Sequence, residues 1–305
     1  MILVKVITVN FLIMLIMVEQ EILKSIINKD INLANKIYLR DKGEISKILK
    51  KTRLNNFFLE LLTLNECNKD KLRKINDRIL HRNIVILDEV KILSELFYEE
   101  GINYSFIKGV SSILNFNALM SKRFTSDIDV LIDINDLKKL YDLLSKQKLN
   151  PIFDYSYDHS KSKLNHSFEK IKLTSGLIID FHIRITHPLH FKDCPLSKYV
   201  LDNSKPLKSF HNVHITNEVS IYLNALYQIF LKKESDISTG SYVDLVYLKQ
   251  NINLNSKVTE DVLKNSYLYE HHKFLEELSI YLVNENKERL SKMDEFIKRI
   301  FKQKQ

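Results

Sequence analysis

The sequence predicts an α+β fold. A small mixed β-sheet, with helices on one side, lies between a helical N-terminal lead-in and a helical C-terminal region. Three observations carry this prediction. Five glycines and four prolines in 305 residues leave few interruptions, so long helices should dominate. From about residue 19 to 100, apolar residues recur at spacings of three and four, the period of a helix with one buried face. Between about 101 and 185 the pattern changes to short β-branched runs, DIDVLI and LIIDFHI, which read as buried strands. The implied division is a helical region over 1–100, a sheet core over 101–190, and a linker with further helices over 191–305.

The chain opens on MILVKVITVNFLIMLIMV, apolar enough to suggest a leader or a membrane span. Lys5 and Asn10 interrupt it, and Phe11–Val18 is too short to cross a bilayer. No small-residue cleavage site follows. A buried helix, or a true start at Met14 or Met17, is the expected reading; membrane anchoring is the competing one.

In the long helical stretch, Ile75, Ile79, Leu80, Ile86, Leu87, Val90, Leu93, Leu96 and Phe97 form a wide stripe, with Gly101 as its C-cap. The interleaved Arg and Lys read as a solvated face rather than an RNA track. Asn103–Ile107 is a short strand, and Lys108-Gly109 turns it into the helical VSSILNFNALMS. After the DIDVLI strand, Asn135 is placed to cap the helix DLKKLYDLLSKQKLN, with Asp136 in its first turn and Pro151 at its end. The polar segment 152–170 reads as a loop, and GLIIDFHIRI as the next strand. Residues 186–217, with Pro188, Pro195 and Pro206, read as irregular. Helices resume at VSIYLNALYQIFLKK. The last carries Leu290, Met293, Phe296, Ile297, Ile300 and Phe301 as a stripe for packing on its own domain.

A hydrophobic content of 45% with 28% charged residues describes a globular chain and excludes a disordered one. The net charge of +8 favours anionic partners: nucleotides, RNA or acidic surfaces. The C-terminal SKMDEFIKRIFKQKQ alone carries about three of those charges, so a solvated basic surface explains much of it. Cys67 and Cys194 have no metal-ligand spacing and make no disulfide framework, which points to a reducing cytoplasm.

The chemistry lies in the acids. Side chains alternate along a strand, so Asp127 and Asp129 point the same way, roughly 6–7 Å apart. Two carboxylates on one face repel unless a cation sits between them, and divalent magnesium takes such hard oxygen ligands. Asp180 ends the apolar run Leu177-Ile178-Ile179 in another strand. If the two strands are neighbours, three acids converge into a metal site suited to phosphoryl chemistry. Period two brings Asp180, His182 and Arg184 onto one face. Gly109 is a turn glycine that also lets backbone N–H groups at a helix start approach an anion. Beside it, Lys108 could neutralise phosphate charge, and Ser111 or Ser112 could donate hydroxyl hydrogen bonds. Arg123 is spaced either to reach a phosphate or to tie the Asp127 strand down. His182 either orients a carboxylate or is a satisfied buried histidine.

In this order, Lys108-Gly109, Arg123-x-x-x-Asp127-x-Asp129 and Asp180-x-His182 resemble the uncharacterised nucleotidyltransferase family of the DNA polymerase beta-type superfamily. The likeness spans roughly residues 70–250, and GSYVDLVYL is similar to an Asp-containing helix in the family's C-terminal half. The resemblance makes residues 101–190 the nucleotidyltransferase core. It implies that Asp127 and Asp129 hold Mg2+ (or Mn2+) on a nucleoside triphosphate. Asp180 would complete a second metal site and orient or deprotonate the acceptor hydroxyl. Lys108, Gly109 and the following helix would bind phosphates. Gly109-Val110-Ser111 where the superfamily commonly has Gly-Ser or Gly-Gly, Ser126 where glycine is common, and Ile183 in place of the usual aromatic depart from the pattern without removing a metal ligand. The expected activity is magnesium-dependent transfer of a nucleoside monophosphate, from ATP or another triphosphate, to an unknown acceptor: small molecule, protein or RNA. No stable membrane association is expected. The competing reading is a non-catalytic nucleotide-binding or antitoxin-like interaction module of the same fold. An RNA-modifying enzyme is a third.

Overall fold

Helix α4 (Glu66–Glu99) and the strand that follows it set the frame of the molecule. The computed structural model describes residues 21–272, apart from 23–24, 27–28, 41, 53, 63–65, 148–166, 186–195, 231–239, 252–256, 266–267 and 270–271. The apolar opening stretch over 1–18, Pro151, and the C-terminal stripe from Leu290 to Phe301 therefore lie outside the described residues. No helix among the described residues is long and apolar enough to cross a membrane.

Helix α4 buries Ile86, Val90, Leu93 and Phe97 against the sheet, while Ile75 and Leu80 of the predicted stripe are exposed. It stops where predicted. Gly101 takes φ +60°, its N–H donates to the Tyr98 carbonyl, and the Ile102 N–H donates back to Phe97. That left-handed stop costs glycine little and satisfies the last carbonyls of the helix.

The chain then enters an α+β core. Strands β1 (Tyr104–Phe106), β2 (Ile128–Ile132), β3 (Ser167–Lys172), β4 (Ile178–His182), β5 (Lys205–Leu207) and β6 (Phe210–Ile215) make one mixed sheet, ordered β3-β4-β2-β1-β6-β5. β2 pairs parallel with β4 and antiparallel with β1, and β1 pairs parallel with β6. Three expectations need correction here. Ser167–Lys172 is a strand, where a loop was expected to run to 170. Within the supposedly irregular 186–217, residues Leu196–Asp202 are helical and β5 and β6 extend the sheet. Finally, helices cover both faces of the sheet rather than one.

On one face, Ile128, Val130 and Ile132 of β2 and Ile179 and Phe181 of β4 pack on α4 and on Leu140, Leu143 and Leu144 of a later helix (Leu137–Lys146). Between these lies α5 (Lys108–Asn115), so the later helix is α6. Asn135 does not cap it: its N-cap is Asp136, which makes no side-chain cap bond, while Asp133 caps the short 3-10 turn Ile134–Asp136 just before, its carboxylate accepting from the Asn135 N–H. Asp136 instead accepts from the Asn103 N–H. α6 ends at Lys146, before Pro151 is reached.

On the other face, Ile107 and Leu131 join a second core made by α7 (Leu196–Asp202), α8 (Glu218–Phe230), α9 (Gly240–Asn251) and α10 (Lys257–Asn265). A third core seats α1 (Ile31–Arg40), α2 (Lys42–Thr52) and α3 (Asn55–Leu61) on Ile113 of α5 and Val243 of α9. The alternation along β2 and β4 sends apolar residues to the first core. It leaves Asp129, Asp180 and His182 on the second face.

Candidate metal and nucleotide site

Asp129 and Asp180 are register partners across the parallel β2–β4 ladder, as are Leu131 and His182. Neighbouring strands lie about 4.8 Å apart, so the two carboxylates and the imidazole share one small space. His182 Nε2 lies 2.8 Å from Asp129 Oδ1 and 3.5 Å from Asp180 Oδ2. All three side chains are buried. Lys108 closes the cluster: its ammonium donates to Asp129 Oδ1 and lies 3.0 Å from His182 Nε2. Lys170, on β3, reaches Asp180 Oδ2 at 3.1 Å. Nothing in the sequence reading had singled out Lys170, because its segment read as a loop.

The electrostatics follow from this crowding. Burial works to raise the Asp129 carboxyl pKa, but Lys108 and His182 outweigh it and hold the group well below the usual carboxylate range. Burial likewise works to lower the Lys108 ammonium, yet Asp129, and beyond it Asp180 and Asp127, keep it above its ordinary value. Asp127 moves the other way. Burial, then repulsion from Asp129, raises it against the Ser126 hydrogen bond and the Lys108 charge. Asp127 precedes β2 by one residue and is only partly buried. It falls outside the tightest donor set, in which Asp129, Asp180 and His182 each offer an atom within 4.8 Å of the others.

That set fits a divalent cation. Two carboxylates supply hard oxygen donors of the kind magnesium and manganese take. Asp180 Oδ1 is buried and has no hydrogen-bond partner, a cost that a bound cation would relieve.

The remaining predicted residues surround this centre in other ways. Gly109 is the second residue of α5, and a Cβ there would run into the guanidinium Nη1 of Arg123 and come within 2.7 Å of Thr125 Cγ2. Close packing therefore requires this glycine, whatever else the turn binds. Arg123 is buried and spends its guanidinium on Asp244 of α9, with Nε and Nη2 at 2.5 and 2.7 Å from the two carboxylate oxygens. The sequence had offered a phosphate or the Asp127 strand as its partner. The observed one is 121 residues away on a helix that only the family likeness had marked. Ser111 Oγ donates to the Phe106 carbonyl and accepts from the Thr216 N–H, while Ser112 Oγ donates to the Lys108 carbonyl. Both hydroxyls thus hold the turn together.

Two residues of α4 complete the scaffold. Arg82 donates to the carbonyls of Thr125 and Ser126, at 2.8 and 2.6 Å. Asn83, fully buried, donates to those of Met120 and Arg123. They clamp the backbone leading into Asp127. Arg82 sits among the basic residues that read as a wet face, so only its contacts reveal the role.

A family model described as an uncharacterised nucleotidyltransferase covers residues 42–258, well over half of the chain. No curated protein matches the chain.

Proposed function

We propose, from the premise that this chain belongs to the uncharacterised nucleotidyltransferase family, that it catalyses metal-dependent transfer of a nucleoside monophosphate from a triphosphate to a hydroxyl acceptor. The observation that carries this reading is the convergence of Asp129, Asp180 and His182 on one space the size of a cation. A bound Mg2+ or Mn2+ supplies charge neutralisation for the triphosphate and for the oxygens of an in-line displacement.

The chain's own residues divide the remaining work. Asp129 and Asp180 hold the ion, and Asp127, less buried, adds a third carboxylate on the nucleotide side. His182 fixes the orientation of Asp129, as partners of metal-binding carboxylates commonly do. The unpartnered Asp180 Oδ1 is available to orient the acceptor hydroxyl and to take its proton. Lys108 and the N–H groups at the start of α5 receive the phosphates. Gly109, Ser111, Ser112 and Arg123 shape that turn from behind. The acceptor is a small molecule, a protein or an RNA. Two remote cysteines without a disulfide framework support a cytoplasmic setting.

The test uses the full chain with each of the four α-labelled ribonucleoside triphosphates and Mg2+ or Mn2+, in the presence of a cell extract. Expected are pyrophosphate release and transfer of label to one component, both abolished by EDTA and by Asp129→Asn. Binding of a nucleotide with no pyrophosphate release from any of the four would overturn the catalytic reading in favour of the interaction module.

A further inference from the structure

Lys108 is out of place in two respects. It takes φ +53°, a left-handed conformation that residues with a Cβ seldom adopt, and Lys29 is the one other non-glycine residue to do so among those described. Strain of this kind persists where surrounding contacts enforce it, and it concentrates at working sites. From this backbone the side chain turns inward, its ammonium donating to Asp129 Oδ1 and lying 3.0 Å from His182 Nε2.

The second oddity is that the cluster is overfilled. His182 Nε2 lies 2.8 Å from the same Asp129 oxygen. One ring nitrogen can donate to Asp129 or accept from Lys108, but it cannot do both. With Lys108 withdrawn, His182 donating to Asp129 is fully consistent. With Lys108 in place, one of the three contacts goes unsatisfied. The ammonium therefore lies among the donor atoms that a dication would use, and two cations cannot share them.

We propose that Lys108 is the resting occupant of the cation position, a built-in monovalent substitute that must swing out before a divalent metal can bind Asp129. This rests on the reading of Asp129, Asp180 and His182 as a metal site. The displaced ammonium sits at the first residue of α5 and becomes a partner for polyphosphate. The anion then draws out the lysine that blocks the metal, so metal and polyphosphate favour one another's binding. Such coupling is reciprocal and commonly amounts to about 5–150-fold. Without a polyphosphate the ammonium competes with the metal for Asp129 and weakens its binding.

Two substitutions on the full chain test this. Lys108→Asn removes the charge and suits the left-handed backbone. Lys108→Gln keeps a neutral donor for Asp129. Mn2+ binding is followed by electron paramagnetic resonance of the free ion. Inorganic triphosphate binding, without metal, is followed by calorimetry. Both variants should bind Mn2+ about tenfold or more tightly than wild type and bind triphosphate more weakly. Those opposite signs are the signature, because a merely structural lysine would weaken both. Unchanged or weaker Mn2+ binding in variants that melt cooperatively would overturn the proposal and leave the metal site standing. Triphosphate affinity unchanged would overturn the coupling. Absence of Mn2+ binding in every variant and in wild type would instead overturn the metal reading itself.

Discussion

Asp129 and Asp180, separated by 51 positions in the chain, stand opposite one another on neighbouring parallel strands with both side chains buried on the same face. Like charges in such a position are costly unless compensated. Asp129 has Lys108 and His182. Asp180 has Lys170, which is nearly half exposed, a longer approach from His182 at 3.5 Å, and an oxygen with no partner. The arrangement is better suited to holding a cation than to holding the fold together.

That asymmetry gives a prediction for Asp180→Asn. Without metal, its melting temperature should equal or exceed that of wild type, the stability change staying within about 1 kcal/mol. Mn2+ should raise the melting temperature of wild type and leave that of the variant unmoved. Parallel thermal melts with and without Mn2+ check both halves. A metal-free loss above about 3 kcal/mol would show that Asp180 serves the fold instead.

The Arg123–Asp244 pair behaves differently, since it joins the turn before β2 to α9 and both side chains are only 4% exposed. Removing one partner leaves a buried charge uncompensated, which typically costs about 3–5 kcal/mol. Arg123→Met and Asp244→Leu should each lose about that much in urea unfolding. The double variant should recover most of the loss, because two apolar side chains can fill the space. Additive losses would mean the two side chains do not act as a unit.

Gly109 offers a test in which local and tertiary effects have opposite signs. It lies in α5, where alanine is favoured over glycine by about 1 kcal/mol on propensity alone. The added methyl would meet Arg123 and Thr125, and overpacking of that kind costs about 1–3 kcal/mol. Gly109→Ala should therefore destabilise the protein, as read by its urea midpoint. A stabilised variant would show that the Arg123 guanidinium yields easily.

How much of this could be read from the chain depended on how strongly each residue's environment marks its neighbours. Asp129, Asp180 and His182 were legible because a buried strand imposes period two on everything within it. Asp127 was harder, because it stands one residue outside β2, where alternation no longer dictates direction. Strands β3, β5 and β6 were missed for a shared reason: they lie at or near the edges of the sheet and carry polar side chains. In β6 Phe210 and His211 are exposed and Val213 and Ile215 are buried, while β5 contains Pro206, which an edge tolerates. Arg82 was illegible, and Asp244 was marked only by the family likeness, because they act through contacts with distant backbone and side chains, which no local pattern records. Asn135 was misread as a cap because a short 3-10 turn over Ile134–Asp136, itself capped by Asp133, precedes the helix and takes Asn135 into its winding.

The same cluster predicts how the metal-free protein responds to acid. The folded-state pKa of Asp129 is depressed below its unfolded value, because Lys108 and His182 favour the carboxylate against the effect of burial. A depressed acid stabilises the fold fully above the unfolded pKa of about 3.9. That contribution is lost as pH falls below this value and through the folded one. Asp127, raised by burial and by Asp129, has the opposite sign, and protonating it relieves repulsion as pH falls through its folded value. The Asp127 gain is complete once pH reaches its unfolded value, so the fall below that pH belongs to Asp129. Urea unfolding between pH 2 and 6 should show the stability of wild type dropping below about pH 4, by up to about 1.4 kcal/mol per pH unit from this residue. In Asp129→Asn that slope should shrink by about one proton, although its stability at pH 6 is lower because Lys108 is left buried without its partner. Equal slopes in the two proteins would mean that Asp129 is not held ionised by Lys108, and the ammonium would then have no claim to the place of a cation.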